Sequence, residues 1–171
     1  MKKSAIIAAI LVLIVLIAVL CLPEALIVPV KGATKADWNP KSFGFYPWGK
    51  SGVHKGIDIF AKEGIPVLTA CSGLVVDANV TPDGGNVISI LGPKWRIHYY
   101  AHLKTLKVRT GDVVPQGMQI GTVGSTGNAV GKAPHLHYSI ITQIPYVWLY
   151  KNDRFGLDRI FYLNPDEKLR I

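Results

Sequence analysis

Residues 67–100 read VLTACSGLVVDANVTPDGGNVISILGPKWRIHYY, and short apolar runs alternate with turn residues throughout this stretch. The turns contain Ser72-Gly73, Pro82-Asp83-Gly84-Gly85 and Gly92-Pro93. Short runs rich in Val, Ile and Tyr, bounded by Gly, Pro and Asp, are typical of β-strands. Similar runs follow at residues 118–121 and 136–141, and we find no sustained helical period after residue 36. The pattern predicts a mostly antiparallel β domain, either a sandwich or a partly open barrel.

Length and charge limit the remaining possibilities. A chain of 171 residues has room for one domain of ordinary size. Its composition is 49% hydrophobic and 18% charged, and its formal net charge is +8, which favours anionic partners such as nucleic acid, anionic lipid or wall polymers. Because the sequence has no long Lys/Arg run and no aromatic-plus-basic RNA motif, we do not expect a nucleic-acid partner.

The N-terminus is a long apolar segment. Lys2 and Lys3 precede a run from residue 4 to 22 without a charge, and a helix of that length can cross a bilayer. Lysines at its start should stay in the cytoplasm, which would place the rest of the chain outside. A cleaved signal peptide is the alternative, but the large Leu20 stands where a small residue should precede the cut. We therefore expect an uncleaved, single-pass membrane helix and a domain exposed in the cell envelope, or secreted if the segment is cleaved.

The sequence also suggests where the domain begins. Pro23, Pro29 and the stretch 31–35 are typical of a short linker. We accordingly expect residues 1–30 to form the anchor and linker and residues 31–171 to form the domain, with its core at about 40–166. Of the two cysteines, Cys21 lies in the apolar segment and Cys71 reads as a small buried hydrophobe, so no disulfide framework is expected.

His54 and Asp58 lie four residues apart in His54-Lys55-Gly56-Ile57-Asp58. A straight strand would separate them by about 13 Å, too far for one metal ion. Gly56, however, permits a bend that would bring both side chains to one point. A surface histidine and a turn aspartate remain the alternative interpretation.

His135 and His137 lie two residues apart in a predicted strand, so their imidazoles share one face while Leu136 and Tyr138 take the other. A solvated polar strand face is the alternative here. His102 follows Tyr100-Ala101, and His98 reads as a surface or core residue. One aspartate and two histidines would leave a fourth zinc position open for water, and two further histidines would serve proton transfer and transition-state stabilisation.

In these motifs the chain resembles the lysostaphin/LytM-type zinc endopeptidases, which hydrolyse peptidoglycan peptides. The resemblance runs in order from about residue 40 to 166 and rests on these elements: Ser42-Phe43-Gly44, His54-Lys55-Gly56-Ile57-Asp58-Ile59, Gly64-Ile65-Pro66-Val67, Gly73-Leu74-Val75-Val76, Gly85-Asn86-Val87-Ile88, Tyr100-Ala101-His102-Leu103, Gly111-Asp112-Val113-Val114, Gly121-Thr122-Val123-Gly124-Ser125-Thr126-Gly127, Pro134-His135-Leu136-His137-Tyr138 and Leu163-Asn164-Pro165.

The resemblance implies one zinc ion per chain, with His54, Asp58 and His137 as its ligands. It also implies that His102 and His135 are non-ligand catalytic residues, and that peptidoglycan peptides are the substrate. A non-catalytic module that activates another wall hydrolase is the alternative, since some relatives lack the zinc ligands. A basic wall- or lipid-binding structural protein would leave these five residues unexplained.

Two stretches depart from the family pattern. Phe45-Tyr46-Pro47-Trp48 follows the Phe-Gly pair where the family often has an arginine, which suggests a different groove edge. The tail from residue 142 to 161 is longer than a minimal domain needs, and the sequence assigns it no role.

Overall fold

The computed structural model describes residues 2–49 and 52–170 and shows an apolar helix followed by a β domain. Over these residues the elements are α1 (Lys2–Cys21), β1 (Leu26–Ile27), β2 (Ile57–Phe60), β3 (Pro66–Leu68), β4 (Gly73–Thr81), β5 (Gly85–Leu91), β6 (Arg96–Leu106), β7 (Val113–Val114), β8 (Gln119–Val123), β9 (His135–Thr142), β10 (Tyr162–Leu163) and β11 (Leu169–Arg170). Short 3-10 turns connect several of them.

Nine of the described strands form one antiparallel sheet in the order β10-β9-β6-β5-β4-β7, with β2 paired to β9, β8 paired to β6, and β3 paired to β8. The sheet does not close on itself. The prediction of a mostly antiparallel, partly open β domain is therefore confirmed. A separate parallel pair joins β1 to β11 and so ties the two ends of the domain together.

The strands that carry the functional residues alternate as a two-sided sheet should. In β2, Ile57 and Ile59 have no solvent exposure, and in β9 Leu136 and Tyr138 are equally buried. Their neighbours in sequence point to the opposite face, which lines a groove. One face of the sheet thus supplies the hydrophobic core, and the other supplies the chemistry.

Helix α1 contacts the domain at the 3-10 turn Pro93–Trp95, and most of its length extends away from the domain. Its residues from Lys3 to Cys21 are long and apolar enough to cross a membrane, a property that a signal sequence near the N-terminus shares. Most of its large side chains are about half exposed.

The segment after α1 differs from the expected linker. Leu26 and Val30 are buried in the main core, and β1 is hydrogen-bonded to β11. The prolines at 23 and 29 are typical of a linker, but the apolar residues between and after them pack into the core. The structured domain consequently begins within a few residues of the helix end.

Candidate metal centre and catalytic groove

His54 and Asp58 are brought together by the bend at Gly56, as the sequence predicted. The structure adds a second reason for glycine at this position. A Cβ there would lie 2.4 Å from the Tyr138 carbonyl oxygen and 2.5 Å from Ser139 Oγ, well inside contact distance. The loop before β2 therefore runs against β9 at a separation that only glycine permits.

Asp58 and His137 face each other across the β2–β9 pair. Directly opposed residues of an antiparallel pair project from the same face, so both side chains enter the groove. Asp58 Oδ1 lies 2.8 Å from His137 Nδ1, and His54 Nε2 lies 3.1 Å from each of those atoms. The three atoms form a nearly equilateral triangle.

The triangle fits a zinc ion in size and in donor type. Ligand atoms of a tetrahedral zinc site are about 3.3 Å apart when each lies about 2.0 Å from the metal. Edges of 2.8 to 3.1 Å are slightly shorter than this, so His54, Asp58 and His137 would hold such an ion after a small adjustment of their side chains. The groove beside these three residues is open.

The hydrogen bonds behind the triangle support the same interpretation. His54 Nδ1 lies 3.1 Å from the Ser42 carbonyl oxygen, which only accepts, so Nδ1 carries the proton and Nε2 offers a lone pair. His137 Nε2 is 2.9 Å from Ser139 Oγ, which leaves Nδ1 toward the triangle. When His137 Nε2 donates to Ser139 Oγ, two ring lone pairs and a carboxylate oxygen converge, and this donor set suits a cation.

Electrostatics favour the protonation states that a metal needs. Burial lowers the pKa of His137, which favours the neutral imidazole, although the contact with Asp58 opposes this shift. Burial alone would raise the pKa of Asp58, but the contacts with His137 and His54 outweigh it and hold the pKa of that carboxyl well below its usual range. A neutral imidazole and an ionised carboxylate are the forms that bind zinc.

His102 and His135 lie beside the triangle, with their ring centroids 5.0 Å apart. His102 Nδ1 donates to the Thr126 carbonyl at 2.9 Å, and His135 Nδ1 donates to the Ala133 carbonyl at 2.8 Å. In the neutral ring both therefore keep Nε2 unprotonated, and His135 Nε2 is 3.9 Å from Asp58 Oδ2. Burial, together with the neighbouring His137 and His135, lowers the pKa of His102 to about 4.

His102 reaches the groove through an irregularity in β6. Strict alternation would place His102 on the core side with Tyr100, because Ala101 pairs with His137 on the groove side. His102 instead adopts a left-handed conformation with φ +65°, and the register of β6 against β5 shifts between Tyr100 and Leu103. Leu103 thereby turns into the core while His102 lines the groove. Strained residues of this kind cluster at functional sites.

The groove has a volume of about 690 Å³ and contains all five predicted residues. Trp48 forms part of its wall and stacks on the His54 ring at a centroid distance of 4.1 Å. Phe60 lies 5.4 Å from the His135 ring. The sequence around Trp48 departs from the family pattern and so predicted a different groove edge. It gave no sign that Trp48 stacks on His54, a candidate ligand.

The tail also contributes to the groove edge, which the sequence did not indicate. Asp158 forms an ion pair at 2.7 Å with Lys55, the residue that directly follows His54. Phe155 packs edge-on against Phe43 at 5.3 Å, and Arg154 lies over the Tyr46 ring. The tail thus holds both the residue-42–48 loop and Lys55 in place.

His98 is not part of this centre. It has no solvent exposure, and its Nδ1 is 2.7 Å from the Tyr138 hydroxyl in the core. Burial and the neighbouring Arg96 lower the pKa of His98 to about 3, so the ring is neutral. Of the two sequence alternatives, core and surface, the structure places it in the core.

An open antiparallel sheet with this donor set in a groove defines the class as a metallo-hydrolase. The model of Peptidase family M23 matches residues 52–147, more than half of the chain, and the chain belongs to this family. The resemblance to lysostaphin/LytM-type endopeptidases is thereby confirmed. The family is one of zinc-dependent peptidases.

Two curated relatives illustrate the similarity. Peptidoglycan DD-endopeptidase ShyC of Vibrio cholerae is 36% identical over 120 residues, covering 70% of this chain and 26% of the relative. L-Ala–D-Glu endopeptidase of Bacillus subtilis is 40% identical over 95 residues, covering 52% of this chain and 29% of the relative. The chain thus spans less than a third of the length of these relatives.

The fold agrees with a solved structure. The catalytic domain of lysostaphin from Staphylococcus simulans superposes with a TM-score of 0.55 at 38% identity, covering 58% of this chain and 76% of that domain. The shared part is the β domain.

Proposed function

We propose that the chain is a zinc-dependent endopeptidase that hydrolyses peptide bonds of bacterial peptidoglycan. In this proposal His54, Asp58 and His137 hold one zinc ion, and His102 and His135 are the catalytic residues. The observation that carries it is the convergence of three metal-binding atoms beside two histidines whose Nδ1 protons are engaged by backbone carbonyls.

The residues around the triangle have separable tasks. Zinc in an open site supplies a Lewis acid and lowers the pKa of a water molecule. Ser42 and Ser139 orient the ligand rings from behind through the hydrogen bonds described above. His102 and His135 each engage a backbone carbonyl through Nδ1 and leave Nε2 for the substrate, so one accepts the proton of the attacking water. The other, once protonated, hydrogen-bonds the developing oxyanion or orients its partner.

The groove walls bind and orient the peptide. Trp48 and Phe60 offer apolar surface on either side of the centre, while Lys55 and Lys132 place positive charge along the same groove. Wall peptides carry free carboxylates, which suit such an edge. The two relatives act, by their names, on different bonds, so the scissile bond must come from product analysis.

The test is digestion of purified muropeptides by the full-length chain in detergent, followed by mass analysis and zinc determination on the same sample. We expect about one zinc per chain and one defined cleavage product. The sample should begin before residue 24, because Leu26 and Val30 belong to the core. A chain that holds zinc but leaves every muropeptide intact would instead be a non-catalytic module.

We further propose that α1 is an uncleaved, single-pass anchor that holds the domain on the outer side of the cytoplasmic membrane of a bacterium. The apolar run behind Lys2 and Lys3 supports this placement. The full-length mass should persist in the membrane fraction, and a C-terminal fusion should be protease-protected in inside-out vesicles. A shortened, soluble mature form would show a cleaved signal peptide instead.

A further inference from the structure

The exit of α1 is fastened to the domain by a buried charge pair. Only residues 22 and 23 separate the helix from Glu24, and the three steps from Cys21 to Glu24 span at most about 11 Å. The Glu24 side chain is 5% exposed, accepts a hydrogen bond from Arg96 Nη1, and lies 3.7 Å from His98 Nε2. The face of the domain around Arg96 must therefore lie close to the end of the helix.

A turn of the domain runs alongside the helix itself. The 3-10 turn Pro93–Trp95 places the Trp95 indole against α1, where Nε1 donates to the Leu16 carbonyl at 3.0 Å. Leu16 lies five residues before the helix end, which is about 7.5 Å along the axis. Trp95 is consequently level with the last turns of α1, and tryptophan is enriched near the ends of membrane-spanning helices.

The tail, residues 142–161, extends the face of the domain that lies next to α1. Tyr146 accepts a hydrogen bond from Arg96 Nη2 at 2.8 Å and stacks on Trp148 at 4.9 Å, so the tail is tied to the guanidinium that holds Glu24. From residue 146 to 150 its exposed side chains are apolar or aromatic: Val147 is 64% exposed, Trp148 73% and Tyr150 51%. We call Trp95, Val147, Trp148 and Tyr150 the tryptophan patch.

Charge around the tryptophan patch is basic. Lys94 lies in the turn beside α1, and Lys151 is exposed directly after Tyr150. The nearby Asp153 is paired with Arg159, which neutralises its charge. Aromatic side chains with adjacent lysines suit the interface of a bilayer that contains anionic lipid.

We propose that the tryptophan patch docks onto the outer leaflet of the membrane that α1 crosses, with anionic lipid headgroups as its ligand. The proposal rests on α1 being a membrane anchor. Its consequence is a fixed position for the groove. Ala101, which pairs with His137, lies five residues from Arg96 in β6, so the centre is within about 17 Å of the docked face. The peptidase would act on wall peptides close to the membrane.

A site-specific label tests the docking on the full-length chain in lipid nanodiscs. Cys21→Ser removes the exposed thiol, and Cys71 is 3% exposed with its pKa raised to about 12 by burial, so it should not label. A single fluorophore is then placed at Val147→Cys in the tryptophan patch or, as the matched control, at Val80→Cys, which is 72% exposed and lies at the end of β4 remote from Arg96. The discs carry a quencher on lipid chains near the headgroups.

We expect quenching at position 147 to exceed that at position 80 by at least about twofold in anionic discs, because only the former lies at the interface. Quenching at 147 should fall in discs of neutral lipid and in a Trp148→Ser background. Equal quenching at both positions, or no difference between anionic and neutral discs, would overturn the proposal.

Muropeptide hydrolysis on the same discs separates this inference from the proposed function. Docking without hydrolysis would count against the function and leave the docking supported. Hydrolysis without quenching at 147 would support the proposed function and count against the docking. A full-length chain that does not enter the discs would overturn both the anchor and the docking.

Discussion

Single hydrogen bonds decide which nitrogen each histidine of the centre offers. Carbonyl oxygens of Ser42, Thr126 and Ala133 hold the Nδ1 protons of His54, His102 and His135. His137 is oriented differently, because Ser139 engages its Nε2 and Nδ1 turns inward. The same residue type therefore has two roles here, which depend on whether the free nitrogen meets the triangle or the open groove.

Loss of a proposed ligand should lower zinc affinity. Asp58→Ala and His137→Ala each remove one corner of the triangle and leave two donors. We expect zinc content to fall well below one per chain after dialysis, as measured by metal analysis. His135→Ala is the control, since its Nε2 lies outside the triangle. Zinc held as tightly in the Asp58 and His137 variants as in the parent would refute the ligand set.

Loss of a proposed catalytic histidine should separate activity from metal binding. His102→Ala and His135→Ala remove a proton-transfer or oxyanion partner, a change that typically costs about 100- to 10,000-fold in rate. Zinc content should stay near that of the parent. Turnover of muropeptides and metal content are measured on the same preparations. Zinc lost in step with activity would make either residue a ligand, and unchanged turnover would remove it from the mechanism.

At the scale of elements, the centre depends on how closely the loop before β2 approaches β9. Cross-strand pairing places Asp58 opposite His137, and the Gly56 bend returns His54 to the same point. β6 contributes from the other side of β9 through the irregularity at His102. The loop and strand that carry His54 and Asp58, and the strand that carries His102, are thus both fixed against β9, which carries His137.

Gly56→Ala should disturb both stability and metal binding. The added Cβ meets backbone and a buried serine, and overpacking of this kind costs about 1–3 kcal/mol. We expect a lower free energy of unfolding in urea together with reduced zinc content, because the loop carrying His54 must move. Gly64→Ala is the matched control. Its φ is +89° and no atom lies within 4 Å, so it should cost about 1 kcal/mol of backbone strain with zinc unchanged.

At the scale of the whole molecule, the helix, the first residues of the domain and the tail meet at Arg96. Its guanidinium contacts both Glu24 and Tyr146, and β1 pairs with β11 nearby in the chain. This arrangement makes the segment that follows α1 part of the folded domain. It also gives the long tail a role, since the same segment supports the groove edge through Asp158 and Phe155.

Glu24→Ala should destabilise the full-length chain strongly. It leaves the Arg96 guanidinium buried without its carboxylate, and breaking a buried pair in this way costs about 3–5 kcal/mol. Denaturant unfolding in detergent measures the loss. Glu63→Ala breaks the exposed pair with Lys104 and should cost about 1 kcal/mol or less. Similar losses in the two variants would show that Glu24 is not part of the fold.

The sequence by itself determined the class of the fold, the family and the local pattern of the centre. Turn residues between β-prone runs predicted the antiparallel domain, and period two placed His135 and His137 on one face with Leu136 and Tyr138 in the core. The glycine between His54 and Asp58 predicted their approach. Each of these signals is local, because strand alternation and glycine freedom act over a few residues.

Only the tertiary structure decided how these segments meet. The contact of Asp58 with His137 depends on the register of two strands 79 residues apart in sequence. His102 reaches the groove against the alternation of its own strand, because its left-handed conformation shifts the register. The burial of Glu24 and the docking of the tail on Arg96 carry no sequence motif. Such contacts are set by packing between distant segments, which no periodicity within one segment encodes.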